Sequence, residues 1–253
     1  MHRIIAITNQ KGGVGKTTTA VNLSASLANW DKKVLLLDID PQGNSTSGVG
    51  LDKTNMETCM YDTLINELPL DDIIVDTEIE NLKVAPATIN LAGAEIELVP
   101  TVSREVKLRS LIRELETEFD YILIDCPPSL GLLTINALTA AHSVIIPIQS
   151  EYYALEGLGQ LLNTVQLVQN HLNTSLVIEG VLLTMYDSRT NLSSQVGQEV
   201  KNYFGDKVYD TIVPRNVRLS EAPSHGKPII TYDHRSKGAQ VYLALAKEVL
   251  SRE

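Results

Sequence analysis

The chain has 253 residues, 43% of them apolar, with 21 Lys and Arg against 31 Asp and Glu, a net charge of −10. This length and composition suit one large folded unit with an ample core and exclude a disordered or fibrous chain. Two cysteines, Cys59 and Cys126, stand far apart with no CxxC pair, which argues against a disulfide framework and gives no metal site.

The acidity is not evenly spread. Asp52 to Asp120 carries 16 acidic and 6 basic residues, which accounts for the whole net charge. Met185 to Gln240 carries 8 basic and 6 acidic residues, so a basic face in the last third is compatible with the composition. No early segment joins a basic start to a long apolar run, and no run reaches the length of a membrane span. Neither a leader nor a membrane anchor is expected.

Ile4 to Ile7 predicts a short buried strand, and Thr19 to Ala28 predicts a helix. Between them lies Lys11-Gly12-Gly13-Val14-Gly15-Lys16-Thr17-Thr18. Strand, glycine loop and helix together are the context of a phosphate-binding loop. The glycines let successive N–H groups turn inward onto phosphate oxygens, and the positive end of the helix faces the same anion. Lys16 then reaches the β- and γ-phosphates of a nucleotide, and the Thr17 hydroxyl ligates Mg²⁺. The loop departs from the usual pattern at Gln10, where a glycine is usual, and adds a second lysine, Lys11. Taken alone, Lys11 is either a solvated loop lysine or a second functional cation.

Val34 to Leu37 is an unbroken apolar run, as in a parallel strand covered on both faces. It leads into Asp38-Ile39-Asp40-Pro41-Gln42-Gly43-Asn44, where Pro41 and Gly43 stop the strand. Asp40, at the carboxyl end of a strand, either orients an attacking water or caps the turn. Farther on, Tyr61 to Ile65 suggests a short helix, Leu82 to Ala85 a strand, and Leu91 to Leu98 a helix. The apolar spacing from Val102 to Glu118 predicts another helix.

Tyr121 to Asp125 is an apolar strand ending in a carboxylate, the Walker B form. Asp125 either holds the Mg²⁺ shell through water or caps the following turn. Cys126-Pro127-Pro128 forces an extended exit, with Cys126 a small packed residue. Val144 to Ile148, Val177 to Met185 and Val208 to Val213 predict three more strands. Leu155 to His171 and Gly238 to Arg252 predict helices. His142, Tyr152 and Tyr153 suggest packing only, and Pro214 to Ala222 reads as a turn. The repeated alternation predicts an α/β fold over residues 1–253, a mostly parallel twisted sheet with helices on both faces.

In order and spacing, Lys11–Thr18, Asp40–Asn44, Asp125–Pro128 and Pro214–Ala222 resemble the ParA/MinD family of deviant Walker A P-loop ATPases. Over essentially the whole chain they are most similar to its chromosomal ParA branch. The resemblance implies an Mg²⁺-dependent ATPase that forms an ATP-dependent homodimer around two ATP molecules. It implies that Lys11 crosses to the partner's nucleotide and that Asp40 lies in switch I. Asp125 opens switch II, which runs on to Leu130-Gly131, and Pro214 and Asn216 contact adenine. It further implies non-specific binding of double-stranded DNA through Arg189 and Arg218. Lys201, Arg215, Lys227, Arg235 and Lys237 lie on nearby elements.

A ParB-type protein is the implied stimulating partner. The acidic stretch, Asp71 and Asp72 included, then offers a surface for a basic tail, or is simply a solvated face. A cytoplasmic, nucleoid-associated protein acting in chromosome segregation and in control of replication initiation follows by the same resemblance. The chain starts almost at the phosphate loop, so the N-terminal helix-turn-helix of some plasmid relatives is not expected. The alternative, a MinD-like membrane ATPase, needs a C-terminal tail with bulky apolar and basic residues. Leu243 to Glu253 has neither aromatics nor a basic stripe, so no membrane partner is expected. An iron–sulfur carrier would need cluster cysteines, and a biosynthetic ligase or kinase would need a second substrate site that no residue cluster offers.

Overall fold

The computed structural model describes residues 2–151 and 158–252. The apolar runs form a seven-stranded sheet of β1 (Arg3–Ile7), β2 (Val34–Asp38), β3 (Val75–Asp76), β4 (Leu82–Ala85), β5 (Tyr121–Asp125), β6 (Ser143–Gln149) and β7 (Val177–Thr184). The order across the sheet is β3-β4-β2-β5-β1-β6-β7. All pairings are parallel except that of the two-residue β3 with β4.

Side chains alternate across a strand, so each apolar run feeds two cores. Ile4, Ala6, Leu35, Leu37, Ile122 and Ile124 pack on one face. They are covered by α3 (Met60–Ile65), α4 (Leu91–Glu97), α5 (Lys107–Arg113), α6 (Leu132–Ala140), α7 (Leu158–His171) and α8 (Asn191–Phe204). Ile5, Ile7, Val34, Leu36, Tyr121 and Leu123 pack on the other face, under α1 (Lys16–Ala28) and α11 (Lys237–Ser251). Small residues, Ala20, Ser24, Ala25 and Ala28, let α1 lie buried against the sheet. The short helices α2 (Asn44–Gly48), α9 (Val217–Glu221) and α10 (Ile229–Tyr232) complete the fold.

Register places the site. Asp125 at the end of β5 is opposite Ile7 on one side and Asp38 on the other. The exits of β1, β2 and β5 therefore meet at one carboxyl edge, where open α/β sheets place their chemistry.

Three secondary-structure expectations are corrected. Val208 to Val213 is not a strand. Tyr209 and Val213 donate backbone N–H groups to β7, but Asp210 and Thr211 between them donate to the Glu248 carboxylate of α11 instead. Val102 to Glu118 is not one helix: α5 ends at Arg113, and Asp71 captures the N–H groups of Glu116 and Thr117 just beyond it. β7 stops at Thr184, because Met185 takes a left-handed φ of 50°. The helix expected from Leu155 is described from Leu158, and Tyr152 and Tyr153 lie outside the described residues. His142 is more than packing, since its Nδ1 accepts the N–H of Ile4 at 3.0 Å and so extends the pairing of β1 with β6.

Candidate nucleotide site

The loop from Asn9 to Thr18 is shaped by its glycines and held by its neighbours. Gly13 and Gly15 take φ values of 73° and 89°, a region that side-chain-bearing residues avoid. The Asn9 carboxamide ties the loop's start to Pro147 and to the N–H of Lys11. The Thr184 hydroxyl donates to the Val14 carbonyl at 2.8 Å. Helix α1 begins at Lys16 with no capping side chain and no acidic residue in its first turn. Among the described residues no chain acceptor takes the N–H groups of residues 12–18, and the first to be satisfied is that of Thr19, by Gly15. A helix start with free, inward-turned N–H groups is an anion site. Lys16 is 6% exposed and its ammonium donates to the Lys11 carbonyl at 3.1 Å. Burial lowers its pKa, while the charges of Asp125 and Asp40 work against that.

Two buried carboxylates, Asp125 and Asp38, lie opposite each other at the ends of β5 and β2, and the Asp125 charge acts on Lys16 of this loop. Asp125 Oδ2 accepts from the Ser45 hydroxyl at 2.7 Å, while its buried Oδ1 has no hydrogen-bond partner. Burial and the neighbouring Asp38 charge push the Asp125 pKa well up, with the Ser45 hydrogen bond working the other way. Asp38 is also raised by burial, although it accepts the N–H and hydroxyl of Thr46, both at 2.8 Å. Charge of this kind calls for a cation. Among the described residues no group of three or more His, Cys, Asp or Glu could enclose one. The donor set is instead a hydroxyl, Thr17, and an orphaned carboxylate oxygen beside a phosphate cradle. That suits Mg²⁺, which keeps waters and takes phosphate oxygens.

Asp40, 6% exposed, is a turn residue. Its Oδ1 accepts the N–H of Gln42 at 2.9 Å, and among the described residues nothing donates to its Oδ2. Lys11 is half-buried, and among the described residues nothing accepts from its ammonium. A Cβ built on Gly12 would meet nothing within 4 Å. Beside the loop opens a cavity of about 500 Å³, lined by Gly15, Thr18, Met185, Arg215, Asn216 and Tyr242 among others. Pro214 lies between the lining residues Val213 and Arg215 and bridges to Tyr186. Asn216 caps α9 through its side-chain oxygen, which leaves its amide N–H₂ uncommitted.

A family model described as an AAA domain matches residues 2–178. The chain is 70% identical to the sporulation initiation inhibitor protein Soj of Bacillus subtilis, over 98% of each chain. It is 57% identical to the chromosome partitioning protein ParA of Myxococcus xanthus, over 99% of this chain and 89% of that one. The chain belongs to the ParA family of chromosome-partitioning ATPases. Among solved structures it is similar to cobyrinic acid a,c-diamide synthase from Mycobacterium smegmatis with bound ADP and magnesium. That match has 38% identity and a TM-score of 0.88, and covers 99% and 94% of the two chains.

Three arginines of the last third, Arg189, Arg215 and Arg218, are paired with carboxylates. Arg189 also lines the 500 Å³ cavity, and its guanidinium grips Asp187 through two bonds of 2.9 and 2.7 Å. Hydrogen bonding from Arg189 holds the Asp187 carboxyl down at about 2. Arg215 pairs with Glu151 at 2.8 Å, and Arg218 with Glu221 at 2.9 Å and Asp233 at 3.7 Å. Lys201, Lys227, Arg235 and Lys237 are exposed. Asp71 also accepts the Thr117 hydroxyl, so it is a turn-holding residue, whereas Asp72 is exposed. Asp38, Ser45 and Thr184 are site residues that pattern reading missed. Only the first left a signal, as the first carboxylate of the Asp-Ile-Asp that ends β2.

Proposed function

We propose that this chain, as one ParA-type domain over residues 1–253, hydrolyses ATP with Mg²⁺ in a dimer that binds DNA without sequence preference. The observation that carries the reading is the phosphate cradle: free N–H groups at residues 12–18, the buried Lys16, and the orphaned Asp125 oxygen facing them. Residues Gly12 to Thr18 hold the triphosphate, with Lys16 on the β- and γ-phosphates. Thr17 and, through water, Asp125 would hold Mg²⁺, which would supply positive charge to the phosphate oxygens when bound. The free Asp40 oxygen orients the attacking water and takes its proton. Asn216 and Pro214 border the cavity that receives the base.

Lys11 completes the site of a second copy. Among the described residues its ammonium has no acceptor, and the open space over Gly12 leaves room for an approaching subunit. Arg189 and Arg218 contact phosphates of double-stranded DNA. Dimerisation doubles those contacts on one body, which raises the effective concentration of the second set. A ParB-type protein stimulates hydrolysis and so releases the DNA. The protein then works in the cytoplasm at the nucleoid, in chromosome segregation and in control of replication initiation. Among the described residues no helix is long and apolar enough to cross a membrane.

DNA binding measured with ATP, with ADP and without nucleotide tests the reading, using wild type, Arg189→Ala and Arg218→Ala. Affinity is expected only with ATP, falling with salt at a slope of about −0.9 per phosphate contact. Both variants should dimerise and show a shallower slope. Equal binding with ADP and ATP would refute the dimer dependence.

A further inference from the structure

Helix α2, Asn44-Ser45-Thr46-Ser47-Gly48, has no apolar stripe, and polar contacts hold it in place. The chain enters it through Gly43, at a left-handed φ of 59° and so near the exit of β4 that a Cβ there would lie 2.6 Å from the Ala87 carbonyl. The Asp40 carbonyl accepts the Gly43 N–H at 2.8 Å, so α2 starts at a fixed step from Asp40. Ser45 and Thr46 follow, and both are fully buried.

These adjacent hydroxyls take the carboxylates of two neighbouring strands. Thr46 gives its N–H and its hydroxyl to Asp38 Oδ2, and its hydroxyl oxygen accepts the Ala87 N–H at 2.9 Å. Asp38 Oδ1 accepts the Asp40 N–H at 3.2 Å, so both oxygens of Asp38 are used and its role is structural. Ser45 gives its hydroxyl to Asp125 Oδ2 at 2.7 Å. Asp125 differs from Asp38 in one respect: its Oδ1 is buried with no partner among the described residues. Buried polar atoms ordinarily find partners, and each exception calls for an explanation. Here one oxygen is held and the other is left over, in a carboxylate whose charge reaches Lys16 of the phosphate loop.

A carboxylate gripped at one oxygen cannot turn about its last bond without breaking that grip. Outer hydrogen bonds of this kind orient the carboxylates of metal sites. The Thr17 hydroxyl also acts on Asp125, but Thr17 is assigned to the ion itself. Ser45 is then the hydroxyl that stays on the carboxylate in the loaded site. We propose that Ser45 is a positioning residue of the Mg²⁺ site: it fixes Asp125 by Oδ2, so that Oδ1 is the oxygen offered to the ion's water, and it ties that carboxylate to the helix that follows Asp40. The proposal deepens the metal reading of Asp125 given above and rests on it.

The test is binding of a fluorescent ATP analogue across a Mg²⁺ titration and in EDTA, for wild type, Ser45→Ala, Thr46→Val and Asp125→Asn. In EDTA, where the phosphate cradle acts alone, Ser45→Ala should bind the analogue as wild type does. It should need about tenfold more Mg²⁺ to reach half of the gain in affinity that the ion brings, the lower end of what losing such an outer partner costs. Thr46→Val strips a hydroxyl from the same helix. It should melt lower than wild type without ligand and keep the wild-type Mg²⁺ requirement. Asp125→Asn should raise the requirement further, and adding Ser45→Ala to it should change nothing more, because both act through one carboxylate. A wild-type requirement in Ser45→Ala beside a raised one in Asp125→Asn would overturn the role of Ser45 and leave the metal reading standing. A wild-type requirement in Asp125→Asn would overturn the metal reading and the role of Ser45 with it. Binding by Ser45→Ala that weakens by the same factor in EDTA as in Mg²⁺ would make Ser45 a structural residue only. So would an equal Mg²⁺ shift in Thr46→Val. A further shift on combining Ser45→Ala with Asp125→Asn would refute action through Asp125.

Discussion

Asp125→Asn separates what the site does for function from what it costs in stability. The wild-type carboxylate is fully buried, has one oxygen without a partner, and lies opposite Asp38 in register. Its pKa is raised by burial first and by Asp38 next. The sign follows from proton counts: the folded state holds this proton more tightly than the unfolded state does. Stability is then full below the unfolded value, about 3.9, and is lost as pH rises through the raised folded value. Asparagine keeps an oxygen for the Ser45 hydroxyl and carries no charge. An uncompensated buried polar or charged group costs about 1–3 kcal/mol. For a chain of this size about 2–4 °C of melting temperature corresponds to each kcal/mol. Free of nucleotide and magnesium, the variant should melt about 2–12 °C above wild type at pH 8, and close to it at about pH 4, near the unfolded carboxyl value. With Mg²⁺ and ATP the order should reverse, because only wild type binds the ion well. Thermal melts at the two pH values, with and without Mg-ATP, decide the matter. A variant that melts lower at both pH values without ligand would refute the reasoning and make Asp125 a structural carboxylate. Equal stabilisation of both proteins by Mg-ATP would refute its metal role.

Further outcomes follow from the same geometry. Lys11→Ala and Gly12→Val should each leave monomeric ATP binding intact and remove the ATP-dependent dimer, read by light scattering, since among the described residues nothing accepts from the Lys11 ammonium and a Cβ at Gly12 meets nothing within 4 Å. Lys16→Ala should abolish ATP binding. Asp40→Ala should retain ATP and slow hydrolysis by about 10²-fold or more, the usual worth of a positioned base; the check is single-turnover hydrolysis beside nucleotide binding. Charge reversal at Asp72 should weaken stimulation by a ParB-type partner at low salt. The same change at Asp71 should lower the melting temperature instead, because Asp71 holds the turn at Glu116 and Thr117.

The phosphate loop and the parallel sheet were legible because their signals are local. A glycine loop between an apolar strand and a helix carries its own geometry, and β2, β5 and β6 are unbroken apolar runs. What escaped depends on distant partners. Val208 to Val213 has strand composition, yet Glu248, nearly forty positions on, takes two of its N–H groups. Helix α6 is apolar on most sides and nearly all buried, so it shows no stripe. Ser45 and Thr184 are ordinary hydroxyl residues in sequence. They become site residues only because register and packing bring them to Asp125 and Val14.

The same distance dependence bears on the cations of the last third. Sequence counting gives that region a small positive excess, but the fold spends most of its arginines at once. Arg189, Arg215 and Arg218 each hold an intrachain carboxylate. Exposed pairs of this kind are worth only about 0–1 kcal/mol, so a DNA phosphate can replace a carboxylate at small cost. The released acid nevertheless stays beside the phosphate and repels it. A single chain therefore presents arginines without a strong positive field, and under the proposed function its affinity for DNA is weak by construction. Arg189 and Arg215 also line the cavity next to Gly15 and Thr18. Nucleotide and phosphate backbone would thus share one wall of the molecule. Under the proposed function, affinity then comes from pairing two such walls in the ATP dimer rather than from charge on either one.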